Sequence, residues 1–197
     1  MIIYLCRHGH KQTESKENTE PLLTEEGHQD AEAIAQWMKK SPHGIPTTIW
    51  SSPKKRCVQT AIPTAKMLNQ PITISPFLIE HNGYGPLDYN LAQIWREFNE
   101  QPIKLLLWWS GPLEGTPIRE EKPFAYFRAR AFLTGEIVGD EVVAVFAHDC
   151  FNSIFIWAFY DRGCLTEEDR YPQREGCINI LRTGEEPIIN LNPRTIT

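Results

Sequence analysis

The sequence has no apolar run long enough to cross a bilayer; IFIWAFY (154–160) falls far short of the roughly 20 residues a spanning helix needs. No basic leader precedes MIIYLC (1–6), so that stretch reads as a strand rather than a signal peptide. No C-x-x-C pair occurs among the cysteines Cys6, Cys57, Cys150, Cys164 and Cys177. Their odd number and scattered spacing argue against a zinc site or a redox pair, and predict reduced thiols in a cytoplasmic protein. There is no excess of positive charge. With 20 Lys and Arg against 25 Asp and Glu, the net charge is −5, which predicts neither nucleic acid nor an anionic membrane as a partner. An anionic substrate must therefore be drawn in by a local cluster. Internal repeats, low-complexity tracts and linkers are also missing.

What is present is an ordinary globular composition, 41% hydrophobic and 23% charged, over 197 residues, which suits one domain with a sizeable core. Continuous apolar or β-branched runs predict strands at 1–6, 47–51, 72–74, 142–147, 177–181 and 187–191. Thr24 is suited to cap a helix through Lys40, with Glu25 and Glu26 in its first turn and Ala31, Ile34, Ala35 and Met38 on one face. A second helix is expected after Pro53, its face carrying Cys57, Thr60, Ala61, Thr64 and Ala65. Pro63 inside that helix predicts a kink or an early stop. Further helices are expected at 124–134 and 151–160, with a shorter one around 90–99. The alternation predicts an α/β fold, a three-layer sandwich with a mainly parallel sheet flanked by helices. Residues 81–123, rich in Gly, Pro and Trp, read as an irregular insertion within the single domain 1–197, walling the pocket mouth or serving as a flap or oligomer contact.

Three polar clusters follow three predicted strands: Arg7-His8-Gly9, Ser51-Ser52-Pro53-Lys54-Lys55-Arg56, and His148-Asp149. In a parallel sheet they gather at one edge, where such sheets bind ligands. Arginine forks there suit phosphate oxygens, and the start of the helix after Pro53 adds backbone N–H groups. His10, His28, His43 and His81 read as surface or structural residues, and Lys54 and Lys55 as a solvated helix start.

These segments resemble the histidine phosphatase superfamily, the fold class shared with phosphoglycerate mutases. CRHGH (6–10) is similar to its R-H-G signature, and PLLTEEGHQDA (21–31) to its L-T-x-x-G-x-x-Q-A segment. IWSSPKKRCVQTA (49–61) resembles S-S-P-x-x-R-x-x-Q-T-A, FLIEHNGYG (77–85) the segment with an acidic residue, and VVAVFAHD (142–149) the strand ending in a second histidine. The resemblance implies a phosphomonoester hydrolase of the small branch in which His8 is phosphorylated and Arg7, Arg56 and His148 hold the phosphoryl oxygens. It implies no metal and no cofactor, and a small phosphorylated substrate as the partner. Glu80 would donate the proton to the leaving group. The small branch usually has Gly after the second histidine, where this chain has Asp149. The larger acid-phosphatase branch has His-Asp there, with Asp as the donor, so Glu80 and Asp149 both stand as candidates.

The chemistry suits these residue types. Neutral imidazole is a competent nucleophile near neutral pH, and preorganised cations, including a protonated His148, offset charge on the transferring group. Three other readings remain open: a mutase returning the phosphoryl group to a substrate, a phospho-ligand-binding module with weak catalysis, and a metal-dependent hydrolase using His8-Gly9-His10 and His148-Asp149. Against the last, Arg7 and Arg56 would put positive charge beside the metal.

Overall fold

The computed structural model describes residues 1–13, 20–80, 105–107, 122–139, 141–162 and 170–196. Its framework is a seven-stranded sheet. The strands are β1 (Ile2–Arg7), β2 (Thr48–Ser51), β3 (Ile72–Ile74), β4 (Leu105–Leu107), β5 (Val142–Ala147), β6 (Ile178–Arg182) and β7 (Ile188–Leu191), in the spatial order β4-β3-β2-β5-β1-β6-β7. The pairings from β4 through to β1 are parallel, and β6 runs antiparallel to both β1 and β7. The sheet is thus mixed but mainly parallel, as the alternating pattern predicts.

Side chains alternate across the central strands. From β1, Tyr4 and Cys6 enter one core, and Ile3 and Leu5 enter the other. On the first face lie α1 (Glu25–Lys40), through Ile34 and Met38, and α2 (Lys55–Leu68), through Cys57, Val58, Ala61 and Ala65. On the second lie α3 (Lys122–Ala131), through Ala129, and α4 (Asp149–Phe159), through Phe151 and Phe155. Burying each large aliphatic or aromatic side chain here contributes about 1.5–3 kcal/mol. No described helix is long and apolar enough to cross a membrane.

The register explains where a ligand can go. Arg7 lies opposite Ala147 across the β1–β5 pair, and Ser51 opposite Phe146 across β2–β5. The helices that follow β1 and β2 lie on one face, and the helix that follows β5 lies on the other. A crevice therefore opens at the carboxyl end of β5, flanked by the ends of β1 and β2.

Three expectations need correction, and a fourth, which is met, needs only its bounds moved. Pro63 does not end α2, which runs on to Leu68: its buried face, with Cys57 and Ala61 before the proline and Ala65 after it, outweighs the lost backbone bond. Leu105–Leu107, within the stretch read as an irregular insertion, forms the sheet's edge strand; three residues carry too little periodicity to reveal that. The helix predicted at 124–134 begins at Lys122 and passes into a π-turn over Phe132–Glu136. Lys54 is not solvated: it pairs with Glu20 at 2.9 Å. The helix proposed around 90–99, and the rest of 81–121, lie outside the described residues.

The loop after β1 is pressed onto the first turn of α1. Thr24 caps that helix by accepting from Gly27 N, while Thr24 N donates to His10 O at 3.0 Å. A Cβ on Gly27 would come within 2.0 Å of His10 O, and one on Gly9 within 2.5 Å of Gly27 O. Ala at Gly27 gains about 1 kcal/mol of helix propensity but meets rigid backbone, and overpacking typically costs 1–3 kcal/mol or more. Gly27→Ala is therefore expected to lower the urea unfolding midpoint. A midpoint unchanged or raised would mean that the loop moves off α1 at no cost.

Candidate active site

The three clusters meet in the crevice. His8 and His148 are almost fully buried, with ring centroids 5.5 Å apart. His8 is fixed by backbone at both ends: its N–H donates to Ala147 O at 3.1 Å, and its carbonyl accepts from Gly176 N at 2.9 Å. Its ring Nδ1 lies 2.9 Å from Gly9 O. A carbonyl only accepts, so Nδ1 carries the hydrogen and the lone pair is left on Nε2. Burial, then Arg56, then Arg7 and Lys11, hold the His8 pKa well below its ordinary value, with the Gly9 bond opposing them.

His148 caps α4 and is tied on both ring nitrogens. Arg56 Nη2 lies 3.4 Å from Nδ1, and Ser52 Oγ lies 2.9 Å from Nε2. Guanidinium only donates, so Nδ1 accepts and Nε2–H donates to Ser52. Burial, Arg56 and His8 push the His148 pKa well down. The protonated His148 expected from sequence is therefore not the form held in this pocket, because a buried guanidinium faces the nitrogen that would take the proton.

The two arginines are placed differently. Arg56, in the first turn of α2, is 6% exposed, and its buried Nε has no hydrogen-bond partner among the described residues. Arg7 donates from Nη1 to Gln173 O, and it faces Asp149 Oδ2 at 3.5 Å and Glu175 Oε1 at 3.8 Å. Its Nε is likewise buried, with no partner among the described residues. Glu80 reaches the same edge from the segment after β3. Its Oε1 accepts from Phe151 N at 3.0 Å, in the first turn of the helix that His148 caps. Asp149 Oδ2 is shared between Arg7 and Arg170. The arrangement offers an unprotonated, buried imidazole beside two guanidiniums with spare donors, which suits an anionic, electrophilic group.

A family model of the histidine phosphatase superfamily (branch 1) matches residues 3–190. The chain belongs to this superfamily. Solved structures of phosphatases share its fold. Alpha-ribazole phosphatase from Shigella flexneri superposes with a TM-score of 0.64 at 18% identity, over 100% of this chain and 98% of that one. A mycobacterial glucosyl-3-phosphoglycerate phosphatase gives 0.60 at 17% identity, over 97% and 98%. Phosphoserine phosphatase from Entamoeba histolytica gives 0.59 at 16%, over 95% and 94%. At these identities the likeness is one of fold. A comparison with curated proteins finds no sequence match.

In this member of the superfamily, all six residues singled out from sequence lie at the one edge: Arg7, His8, Arg56, Glu80, His148 and Asp149. Sequence reasoning assigned no role to the groups that hold them. Ser52 and Thr60 lie within the S-S-P-x-x-R-x-x-Q-T-A stretch and are completely buried. Thr60 Oγ1 accepts from Gly9 N at 3.0 Å and donates to Arg56 O at 2.7 Å, tying the His8 loop to α2. Glu20 binds Lys55 N at 2.9 Å at the start of α2. Arg128 Nη1 donates to Phe77 O at 2.6 Å and Ile79 O at 2.7 Å, steadying the chain before Glu80. Gln173, Glu175 and Arg170 come from a stretch with no recognisable period. His10 is half-exposed, with Nδ1 2.8 Å from Thr24 Oγ1, in the structural role expected of it; His81 lies outside the described residues. Among the described residues, no three His, Cys, Asp or Glu side chains gather as a metal-binding group.

The two depressed histidines have a measurable consequence. Below the ordinary value of 6.5 the unfolded chain binds protons at His8 and His148 that the folded chain refuses. Their contribution to stability is thus complete above that value and is lost progressively as pH falls below it. The urea midpoint of the native protein should drop between about pH 7.5 and about pH 5.5, and that of His148→Gln should drop less. Equal drops would put the titration elsewhere.

Proposed function

We propose that the protein hydrolyses phosphomonoesters through a phosphohistidine on His8. One observation carries the reading: a buried histidine with its lone pair on Nε2 stands beside two guanidiniums whose Nε–H groups find no acceptor among the described residues. Leaving such a donor unpaired costs about 1–3 kcal/mol, and a phosphoryl group supplies the missing oxygens. The phosphatase names of the structural neighbours agree with it.

In the first step the Nε2 lone pair of His8 attacks phosphorus as the ester P–O bond breaks, and the leaving oxygen takes a proton from Glu80. In the second, water attacks phosphorus and gives its proton to Glu80. The N–P bond breaks, its electrons return to Nε2, and phosphate leaves. Arg7 and Arg56 offset the charge spread over the equatorial oxygens. When Arg56 turns to those oxygens it vacates His148 Nδ1; the substrate's negative charge then favours uptake of a proton there from solvent, which makes His148 a further donor. Glu80 is the better proton donor of the two carboxyl groups because Asp149 is committed to Arg7 and Arg170. Depressing the His8 pKa keeps the nucleophile unprotonated into mildly acidic solution.

His8→Ala should abolish the mass gain of one phosphoryl group seen after rapid alkaline quenching. Arg56→Ala should lower kcat/KM roughly 100-fold or more. Native activity should persist in excess chelator; loss that zinc or manganese restores would favour the metal-dependent hydrolase. A comparison of leaving groups identifies the acid. Glu80→Gln should lose activity mainly on an alkyl phosphate and far less on nitrophenyl phosphate, whose leaving group needs little protonation. That selective loss in Asp149→Asn instead would transfer the role to Asp149.

A further inference from the structure

Asp30 is a carboxylate on the buried face of α1, 2% exposed, where the motif L-T-x-x-G-x-x-Q-A has a neutral glutamine. Two guanidiniums answer it. Arg194 Nε lies 2.8 Å from Oδ1, off the hydrogen-bond axis, and Arg174 Nη2 lies 3.6 Å from the same oxygen. Arg194 also donates to Glu26 O on α1. Asp30 Oδ2 accepts from the backbone N of His10 at 3.1 Å. Gly176, whose N–H holds the His8 carbonyl, packs on the same carboxylate: a Cβ there would come within 2.5 Å of Asp30 Cγ.

The bond to His10 reaches the ring of His8. His10 N–H and Gly9 C=O belong to one trans peptide group, so the two point in opposite directions. Asp30 holds the N–H end, and the His8 ring holds the other, with Nδ1–H donating to Gly9 O at 2.9 Å. A carboxylate acceptor makes the bond from His10 N charge-assisted, roughly twice as strong as a neutral one. It also polarises the peptide, so that Gly9 O becomes a stronger acceptor. The largest direct charges on the His8 ring come from Arg56, Arg7 and Lys11, all positive. Through the peptide, Asp30 opposes them from the Nδ1 side. The polarisation counts when the N–P bond forms: the Nε2 lone pair goes to phosphorus, the ring becomes cationic, and the charge is shared with Nδ1–H. A polarised Gly9 carbonyl offsets that charge where it develops.

We propose that Asp30 is a positioning residue for His8: acting through the Gly9–His10 peptide, it fixes the imidazole and stabilises the cationic ring of the phosphohistidine. The inference rests on the phosphatase reading. Asp30 exchanges no proton and forms no covalent bond, and Arg174 and Arg194 sustain its charge in a buried place.

The test variant is Asp30→Asn, whose amide oxygen can still accept from His10 N but carries no charge. Because that change leaves Arg194 facing an amide, the double variant Asp30→Asn, Arg194→Gln removes both charges and guards against misfolding. Proton NMR of protein labelled with 15N-histidine reads the Nδ1–H resonance of His8, assigned by its absence from His8→Gln. In both variants it should move upfield as the bond to Gly9 O weakens. Rapid quenching with nitrophenyl phosphate, whose leaving group needs little help from Glu80, reads formation of the phosphohistidine. Its rate at saturating substrate should fall roughly five- to tenfold in both variants, with KM little changed. Arg194→Gln alone, which keeps Asp30 charged, should retain the native resonance and rate. A resonance that stays in place in the double variant, or a native rate there, overturns the inference and leaves the phosphatase reading intact. An equal loss in Arg194→Gln alone would assign the effect to packing around Arg194 and overturn it too. If the native protein forms no phosphohistidine, the phosphatase reading fails, and the resonance shift alone decides whether Asp30 acts on His8.

Discussion

The parallel register of β1 on β5, Ile2 opposite Val142 through Arg7 opposite Ala147, sets where the two histidines of the candidate site lie. It brings two strand ends that are 140 residues apart in the chain into adjacent positions, so that His8 follows one and His148 the other. The pairing of β2 on the other side of β5 adds Ser52 and the start of α2 with Arg56. A slip of one residue in either pairing would reverse which core each side chain enters, so the two hydrophobic faces hold the site in register.

Burying the histidines beside guanidiniums is electrostatically demanding. The structure meets the demand by keeping both rings neutral and by surrounding the arginines with specific acceptors. Arg7 has the Gln173 carbonyl, Asp149 and Glu175; Lys54, at the other side of the pocket, has Glu20. What is left over is directional donor capacity, at the Nε of Arg7 and of Arg56. In a chain of net negative charge this concentrates positive charge at one edge, with little field beyond it.

Much of the framework was legible because the central strands are continuous apolar runs and their carboxyl ends carry the polar clusters. The caps and faces of α1 and α2 follow from Thr24, the two glutamates after it, and the small residues Ala61 and Ala65. The glycines were legible as motif positions, but their reason was not: Gly9 and Gly27 are required by a backbone approach between segments 18 residues apart. Glu20, Arg128, Gln173 and Arg170 were invisible for a different cause. Each reaches the site from a turn or an exposed helix face, and no period or spacing marks a residue whose partner is fixed only by tertiary folding. The protonation of His148 was also out of reach, since it depends on which of its ring nitrogens faces Arg56.

Gln173 joins parts that the sheet order separates. Its side chain accepts from Asn152 in α4 at 3.1 Å and from Asn179 in β6 at 2.7 Å, while its carbonyl receives Arg7. Asn179 in turn binds Leu5 O at 3.0 Å and takes Asn190 N, from β7, at 2.9 Å. The side chains of Gln173 and Asn179 together couple the carboxyl-terminal hairpin to β1 and to the helix behind His148. Local opening of that hairpin breaks the bonds that Asn179 donates to Leu5 O and to Gln173, the residue that holds Arg7, so the last strands and the pocket edge belong to one cooperative unit, and the durability of the site is set as much by this hairpin as by β1.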